Sequence, residues 1–239
     1  MHQISSPDKP TSIGIVQPYL FPYLGYYQLV NHCDIFVFFD TVNFIKRGYV
    51  NRNNILLQGK EQRFTLPVQD ASQNASIASL RYTNEYTKTL KTIAHAYAKA
   101  PYVNDVLDLV HSVMTNSNRS LASLNANSIQ SVMSYLSIDK RFYFASDLTF
   151  DDSGSATDTL CNITKALDAC IYCNPIGGRS LYTKEDFLAQ GIELRFCQKQ
   201  DISYSQNSKA FVDNLSMIDV LMWNSPEQVK MLLQAYTLS

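Results

Sequence analysis

The stretch IGIVQPYLFPYLGYYQLVNHCDIFVFF, residues 13–39, decides the fold. Its two apolar runs, 13–16 and 34–39, predict buried strands, because they are short and rich in β-branched and aromatic residues. The segment 24–30 between them has helical spacing. Strand, helix and strand in this order form the βαβ unit of a parallel sheet. We therefore expect the two strands to be adjacent and central in that sheet.

The rest of the chain extends this pattern on both sides of a helical group. Segments 55–57 and 63–68 predict a hairpin around Gly59, and three amphipathic helices follow near residues 84–137. Strands at 141–145, 169–173 and 192–196 then alternate with helices at 160–167 and 183–190, and two more helices begin at Ser216 and after Pro226. We expect an α/β, Rossmann-like fold with a mainly parallel sheet and this inserted helical group. No linker divides residues 1–239, so one domain is expected.

Bulk composition excludes several classes of protein. The 239 residues are 46% apolar, which permits a substantial core, and the net charge of -1 argues against binding nucleic acid through overall charge. The polar residues 1–12 are not a secretory signal, and no apolar run reaches the roughly 20 residues that a membrane helix needs. We expect a cytoplasmic protein without membrane insertion.

Five cysteines, an odd number, favour free thiols in such a protein. Cys170 and Cys173 form a lone C-x-x-C with no second ligand pair, so we expect neither a metal site nor a disulfide there. Their odd spacing on a strand predicts opposite faces of the sheet.

Three polar clusters follow predicted strands, where open α/β sheets bind ligands. The first is the Pro-aromatic segment after residue 16, with Gln17, Tyr19, Tyr23 and Tyr26 as candidate substrate-binding residues. Its two prolines fix the chain path, and the helix that follows offers free N–H groups to an anion. A rigid turn over an aromatic core is the alternative.

The second cluster follows residue 39, and amides and cations alternate there with apolar residues. Asp40, Asn43 and Asn51 are the candidate catalytic residues, and Lys46 and Arg52 are candidate ligands for phosphate or carboxylate. Asp40 is the best general-base candidate by position. A solvated loop is the alternative interpretation.

The third cluster is Gly177-Gly178-Arg179, in which paired glycines permit close approach to a ligand. Gly178 and Arg179 are therefore candidate substrate-binding residues, although such pairs also form ordinary turns. The sequence contains no Walker loop, no G-x-G-x-x-G and no G-x-S-x-G motif.

These clusters also carry a resemblance to a known family. The segment IVQPYLFPYLGY, residues 15–26, closely resembles the opening of the WbqC-like family, and Asp40, Asn43 and the segment YVNRN at 49–53 resemble its next motifs. SMIDVL at 216–221 resembles its Ser–Ile–Ile–Asp signature. Thr41 stands where the family pattern has a second Asp, which argues against a paired-carboxylate mechanism.

The resemblance implies a role in building bacterial O-antigen or other surface polysaccharide. It implies a transferase that attaches a glycine-like amino acid or an acyl group to the amine of a nucleotide-linked amino sugar. No motif identifies a cofactor, or selects ATP, coenzyme A or a charged carrier for the acyl donor. The alternative is a non-catalytic module that binds a sugar nucleotide.

A weaker likeness concerns nucleotidyltransferases with the His–x–Gly–His motif. Tyr23-Leu24-Gly25-Tyr26 stands where their histidines would be. Tyrosine supplies no imidazolium to a phosphate, so the likeness implies nucleotide binding rather than ordinary nucleotidyl transfer.

Overall fold

A mostly parallel sheet forms the centre of the structure, a computed structural model that describes residues 10–239. The strands within these residues are β1 (Ser12–Val16), β2 (Ile35–Phe38), β3 (Arg52–Leu57), β4 (Lys60–Thr65), β5 (Arg141–Phe144), β6 (Ile171–Pro175), β7 (Glu193–Lys199) and β8 (Tyr236–Leu238). Six of them form the sheet, in the order β5-β2-β1-β6-β7-β8. All neighbours are parallel except β7 and β8. The expectation of an α/β, Rossmann-like fold with β1 and β2 adjacent and central is confirmed.

The described helices cover both faces of this sheet. They are α1 (Leu24–His32), α2 (Thr87–Ala96), α3 (Val103–Met114), α4 (Leu121–Tyr135), α5 (Ala156–Ala166), α6 (Lys184–Leu188), α7 (Met217–Trp223) and α8 (Pro226–Leu232). The chain leaves the sheet after β2, forms the β3–β4 hairpin and α2–α4, and returns at β5. The predicted helical group therefore lies between two neighbouring strands of the sheet.

Alternation of side chains along the strands gives each face its own apolar cluster. On one face Phe36, Phe38 and Cys173 belong to a cluster that includes α1, α3, α4 and α7. On the other, Ile15 and Tyr172 pack with α5 and α6. We call these the α1 face and the α5–α6 face.

The hairpin and the chain end differ from the sequence prediction. Gln58 and Gly59 both have positive φ, 52° and 74°, which is the two-residue turn that matches strand twist, so Leu57 pairs with Lys60. The second strand of the hairpin therefore begins at Lys60, next to the turn, and not at residue 63 as its apolar residues suggested. β8 was not predicted because a three-residue edge strand carries no periodic pattern.

Within residues 10–239, no helix combines the length and the apolar character that crossing a bilayer requires.

All five cysteines lie in the described part and carry free thiols. Cys170, directly before β6, is exposed, whereas Cys173 within β6 and the other three cysteines are buried. We expect Ellman's reagent to titrate about one thiol in the native protein and all five after denaturation, because the reagent reaches only exposed sulfur. Two unreactive thiols after non-reducing denaturation would instead reveal a disulfide.

Candidate functional site

A cavity of about 300 Å³ opens beside the loop that joins β1 to α1. Its lining comes from that loop, from the start of β3 and from the loop before α7. The residues are Tyr19, Pro22, Tyr23, Tyr49, Asn53 and Asn214. We call it the tyrosine cavity. Such a volume is at the lower end of the roughly 300–1,000 Å³ of small-molecule pockets, which suits one ring of a ligand.

One buried residue, Phe21, ties the three lining segments together. Its carbonyl oxygen accepts hydrogen bonds from Asn53 Nδ2 (2.7 Å) and Ser216 Oγ (2.8 Å), and its N–H donates to Ser128 Oγ (3.0 Å). Its φ of 44° is left-handed, which costs a bulky residue about 1–3 kcal/mol. The surrounding hydrogen bonds hold this strained conformation and so fix the path of the cavity loop.

The α4 helix holds the same loop from behind through Asn125, which is fully buried. Its amide nitrogen donates to Pro18 O (2.9 Å) and Val50 O (2.8 Å), and its oxygen accepts from the Tyr82 hydroxyl (2.7 Å). One side chain thereby joins the segment before Tyr19 to the segment that follows Tyr49. The cavity walls are thus pre-organised.

The cavity presents neutral polar groups between aromatic rings. The hydroxyls of Tyr19 and Tyr23 have no hydrogen-bond partner among residues 10–239, and burial raises the pKa of both phenols, which keeps them protonated. Asn214 is exposed, and its amide makes no hydrogen bond within residues 10–239. Both ends of the Asn53 amide are engaged, by Phe21 O and by the N–H of Asn54. None of the six lining side chains is charged.

Gly25 makes room for the Tyr23 ring, since a Cβ built there would lie 2.5 Å from Tyr23 Cε2. Gly25→Ala should push this ring into the cavity, while the helix gains up to about 1 kcal/mol of propensity. We therefore expect unchanged or higher thermal stability together with a filled cavity. A crystal structure of the variant and its melting temperature test this; an unmoved Tyr23 ring would contradict it.

The structure brings only two of the predicted site residues into the cavity, Tyr19 and Tyr23. Tyr26 is buried behind them and donates its hydroxyl to Gln17 O (3.0 Å), which supports the loop. Sequence analysis missed Tyr49, Asn53 and Asn214 as lining residues. Tyr49 is the first and Asn53 the last residue of the YVNRN segment, and Asn214 lies two residues before the SMIDVL segment, so the motifs themselves were the available signal.

Asp40 does not line the cavity. Its side chain is buried, and its two oxygens accept from the N–H (3.0 Å) and the hydroxyl (2.7 Å) of Ser146, which joins the end of β2 to the end of β5. This geometry favours an anchoring role, and the general-base role stays a prediction.

The other residues of the second cluster are also apart from one another. Asn43 and Lys46 are exposed in the loop after β2. Asn51 is buried and donates to Leu66 O (2.8 Å), which leaves its oxygen without a partner, and Arg52 is half-buried on the opposite side of the strand. Of Gln17, Tyr19, Asp40, Asn43, Asn51 and Arg52, only Tyr19 lines the tyrosine cavity, and a functional pocket shared by all six stays a prediction.

Gln17, Gly178 and Arg179 lie at the carboxyl ends of β1 and β6, which are neighbours in the sheet. None of the three lines the tyrosine cavity, so the predicted common rim with Tyr19 is not observed.

Comparison with known proteins agrees with the sequence motifs. The WbqC-like protein family matches residues 17–231, a range that includes all segments of the cavity. The chain is 23% identical over 214 residues to "Uncharacterized protein Rv1507c" of Mycobacterium tuberculosis, covering 87% of this chain and 92% of the relative. No solved structure matches. The chain belongs to the WbqC-like protein family.

Proposed function

We propose that this protein is a transferase of bacterial surface-polysaccharide assembly that holds a nucleotide-linked amino sugar in the tyrosine cavity. The group transferred to the sugar amine is an amino acid, glycine-like, or another acyl group. The observation that carries the proposal is the pre-organised cavity, with its uncharged polar lining and aromatic walls. Tyrosine rings stack on the apolar face of a sugar ring, and phenol and amide groups bond its hydroxyls.

Cations near the cavity support the binding of a phosphate-bearing substrate. Lys46 and Arg47 are exposed in a turn closed by the Gly48 N–H on Ile45 O (3.0 Å), shortly before Tyr49. Arg47 has a φ of 67°, an unusual conformation for a side chain other than glycine. Neither cation has an ion pair within residues 10–239, so both are available to a phosphate.

The catalysis that this cavity supports is positioning. Phenol O–H groups beside the ring can hold the amine next to an acyl carbonyl and stabilise the oxygen on which negative charge develops. No cavity side chain is a carboxylate or a histidine, so proton removal would have to come from elsewhere.

A non-catalytic module that binds a sugar nucleotide is the second candidate. The observation that favours it is the engagement of Asp40 by Ser146, which leaves the predicted base occupied.

Binding and turnover of three variants test the proposal. We expect Tyr19→Phe and Tyr23→Phe each to weaken binding of an amino sugar by roughly 3–10-fold, as loss of one neutral hydrogen bond does. Asp40→Asn should leave binding unchanged and, if Asp40 is the base, lower turnover about a hundredfold or more. Calorimetry measures binding, and mass spectrometry of a nucleotide-amino-sugar panel with candidate acyl donors measures turnover.

Tyr143→Phe provides the control, because this tyrosine is exposed on β5 and lines no part of the cavity. Binding without turnover for any donor would favour the module. Absence of amino-sugar binding by the wild-type protein would refute both candidates.

A further inference from the structure

A second position suited to a ligand lies between the carboxyl ends of β1 and β6. From β1 the chain continues to β2 and β5 on one side of β1, and β6 and β7 lie on its other side. The direction in which strands are added to the sheet therefore reverses between β1 and β6. Open α/β sheets bind ligands in the crevice at this switch point. Two amide side chains, Gln17 and Asn174, are found there.

Both amides belong to the same face of the sheet. Ile15 and Tyr172 pack on the α5–α6 face, and alternation places Gln17 and Asn174, two residues further along each strand, on that face as well. The register pairs Gly14 with Cys173, so the two strands end side by side.

No side-chain hydrogen bond of either amide is found within residues 10–239. Gln17 Oε1 is buried without a partner, although buried polar atoms are nearly always bonded. Asn174 is 8% exposed, and its side chain makes no hydrogen bond with any residue of 10–239. A buried amide oxygen without a partner, beside a second amide that is also unbonded, suits a polar ligand with donors and acceptors on one edge.

The loop after β6 lies close to the Asn174 amide. A Cβ on Gly178 would overlap the amide nitrogen of Asn174, so a larger residue there would displace the Asn174 side chain. Next to it, Arg179 is exposed, with its guanidinium carbon 6.0 Å from the centre of the Phe196 ring and no ion pair within residues 10–239. A stacked, unpaired guanidinium is well suited to a phosphate.

We propose that Gln17, Asn174, Gly178 and Arg179 form a nucleotide-binding crevice, separate from the tyrosine cavity. The two amides bond the base edge or ribose hydroxyls, and Arg179 binds the phosphate. This proposal rests on the proposed function only for the identity of the nucleotide. The nucleotide is either part of the sugar nucleotide or an adenine nucleotide that activates the acyl group. The shared chemistry is a phosphorylated nucleoside.

Equilibrium binding of UDP, ATP, uridine and adenosine to four forms of the full chain tests this proposal. Gly178→Ala should weaken nucleotide binding about tenfold or more. Gly177→Ala should leave it unchanged, because a Cβ at Gly177 meets nothing within 4 Å. Arg179→Gln should weaken UDP or ATP about tenfold or more but leave the nucleosides unchanged, since only the phosphate contact is lost.

The wild-type preference between UDP and ATP identifies the source of the nucleotide. Arg179 is exposed, so Arg179→Gln keeps the proposal testable if Gly178→Ala does not fold. No nucleotide binding by the wild-type protein, or equal affinities in all four forms, would overturn the crevice. Binding of a free amino sugar to the tyrosine cavity is measured separately, so either site can fail alone.

Discussion

The free energy of unfolding is expected to fall by about 2–4 kcal/mol when Asp219 is replaced by alanine. This carboxylate is fully buried, and its oxygens accept from the hydroxyls of Tyr97 and Tyr204 (both 2.7 Å) and from Gln206 Nε2 (2.8 Å). Alanine leaves these donors without an acceptor inside the protein. Because Tyr204 and Gln206 lie in the irregular segment 200–215, the loop that carries Asn214 to the cavity should also loosen.

Urea denaturation with Asp213→Ala as the control measures this effect. Asp213 lies in the same loop, but its side chain is 49% exposed and pairs with Lys199 at 3.0 Å, so its loss should change stability by no more than about 1 kcal/mol. Equal effects of the two substitutions would show that the buried network does not hold the loop.

The pH dependence of stability gives an independent readout of the same carboxyl. Burial raises the pKa of Asp219 above its usual value of 3.8, although the hydrogen bonds from Tyr204, Tyr97 and Gln206 partly offset this. A carboxyl whose pKa is higher in the folded than in the unfolded protein stabilises the fold when it is protonated. This stabilisation is complete at pH values below the unfolded-state pKa and is lost as the pH rises through the folded-state pKa. Relative to Asp219→Asn, the wild type should therefore gain stability as pH falls through that raised pKa toward 3.8, and parallel pH profiles would contradict this.

Asn125→Ala is expected to destabilise the protein by about 2–4 kcal/mol and also to abolish ligand binding at the tyrosine cavity. The substitution removes the only side chain that bonds Pro18 O within residues 10–239, and it leaves the Tyr82 hydroxyl with only the longer contact to Val50 O (3.4 Å) among those residues. Both losses lie under the cavity loop, so its strained path at Phe21 loses support.

Asn127→Ala on the same helix is the matched control. Asn127 is half-buried, and its side chain only accepts from Ser131 Oγ (3.3 Å), so we expect a change within about 0.5 kcal/mol. Chemical denaturation and calorimetry with the amino sugar measure both quantities. Full sugar binding by Asn125→Ala at a temperature where it is folded would contradict the anchoring role.

Much of the fold was predictable because its signals are local. The runs at 13–16 and 34–39 became β1 and β2, and Ser216 caps α7 as expected. The cap accepts from the N–H of Ile218, however, and Asp219 turns into the buried tyrosine network instead of completing a capping box. Propensity at a helix start does not reveal partners that lie 122 residues away along the chain.

The candidate site was harder to predict, because polar residues of one sequence cluster have several structural uses. Asn51 and Asp40 looked alike as candidates, yet the side chain of Asn51 bonds Leu66 O and that of Asp40 bonds Ser146. Buried polar groups are nearly always hydrogen-bonded, so many amide and carboxylate side chains that stand out in the sequence serve to hold a loop in its conformation. Tyr19 and Tyr23 differ in that their hydroxyls have none among the described residues.

The sequence by itself determined the alternation of strands and helices, the free thiols and the family, because periodicity, cysteine number and short motifs are properties of neighbouring residues. Only the tertiary structure decided that the tyrosine cavity joins segments around residues 19, 53 and 214, and that Gln17 and Asn174 end neighbouring strands. The order of strands in a sheet depends on packing between distant elements.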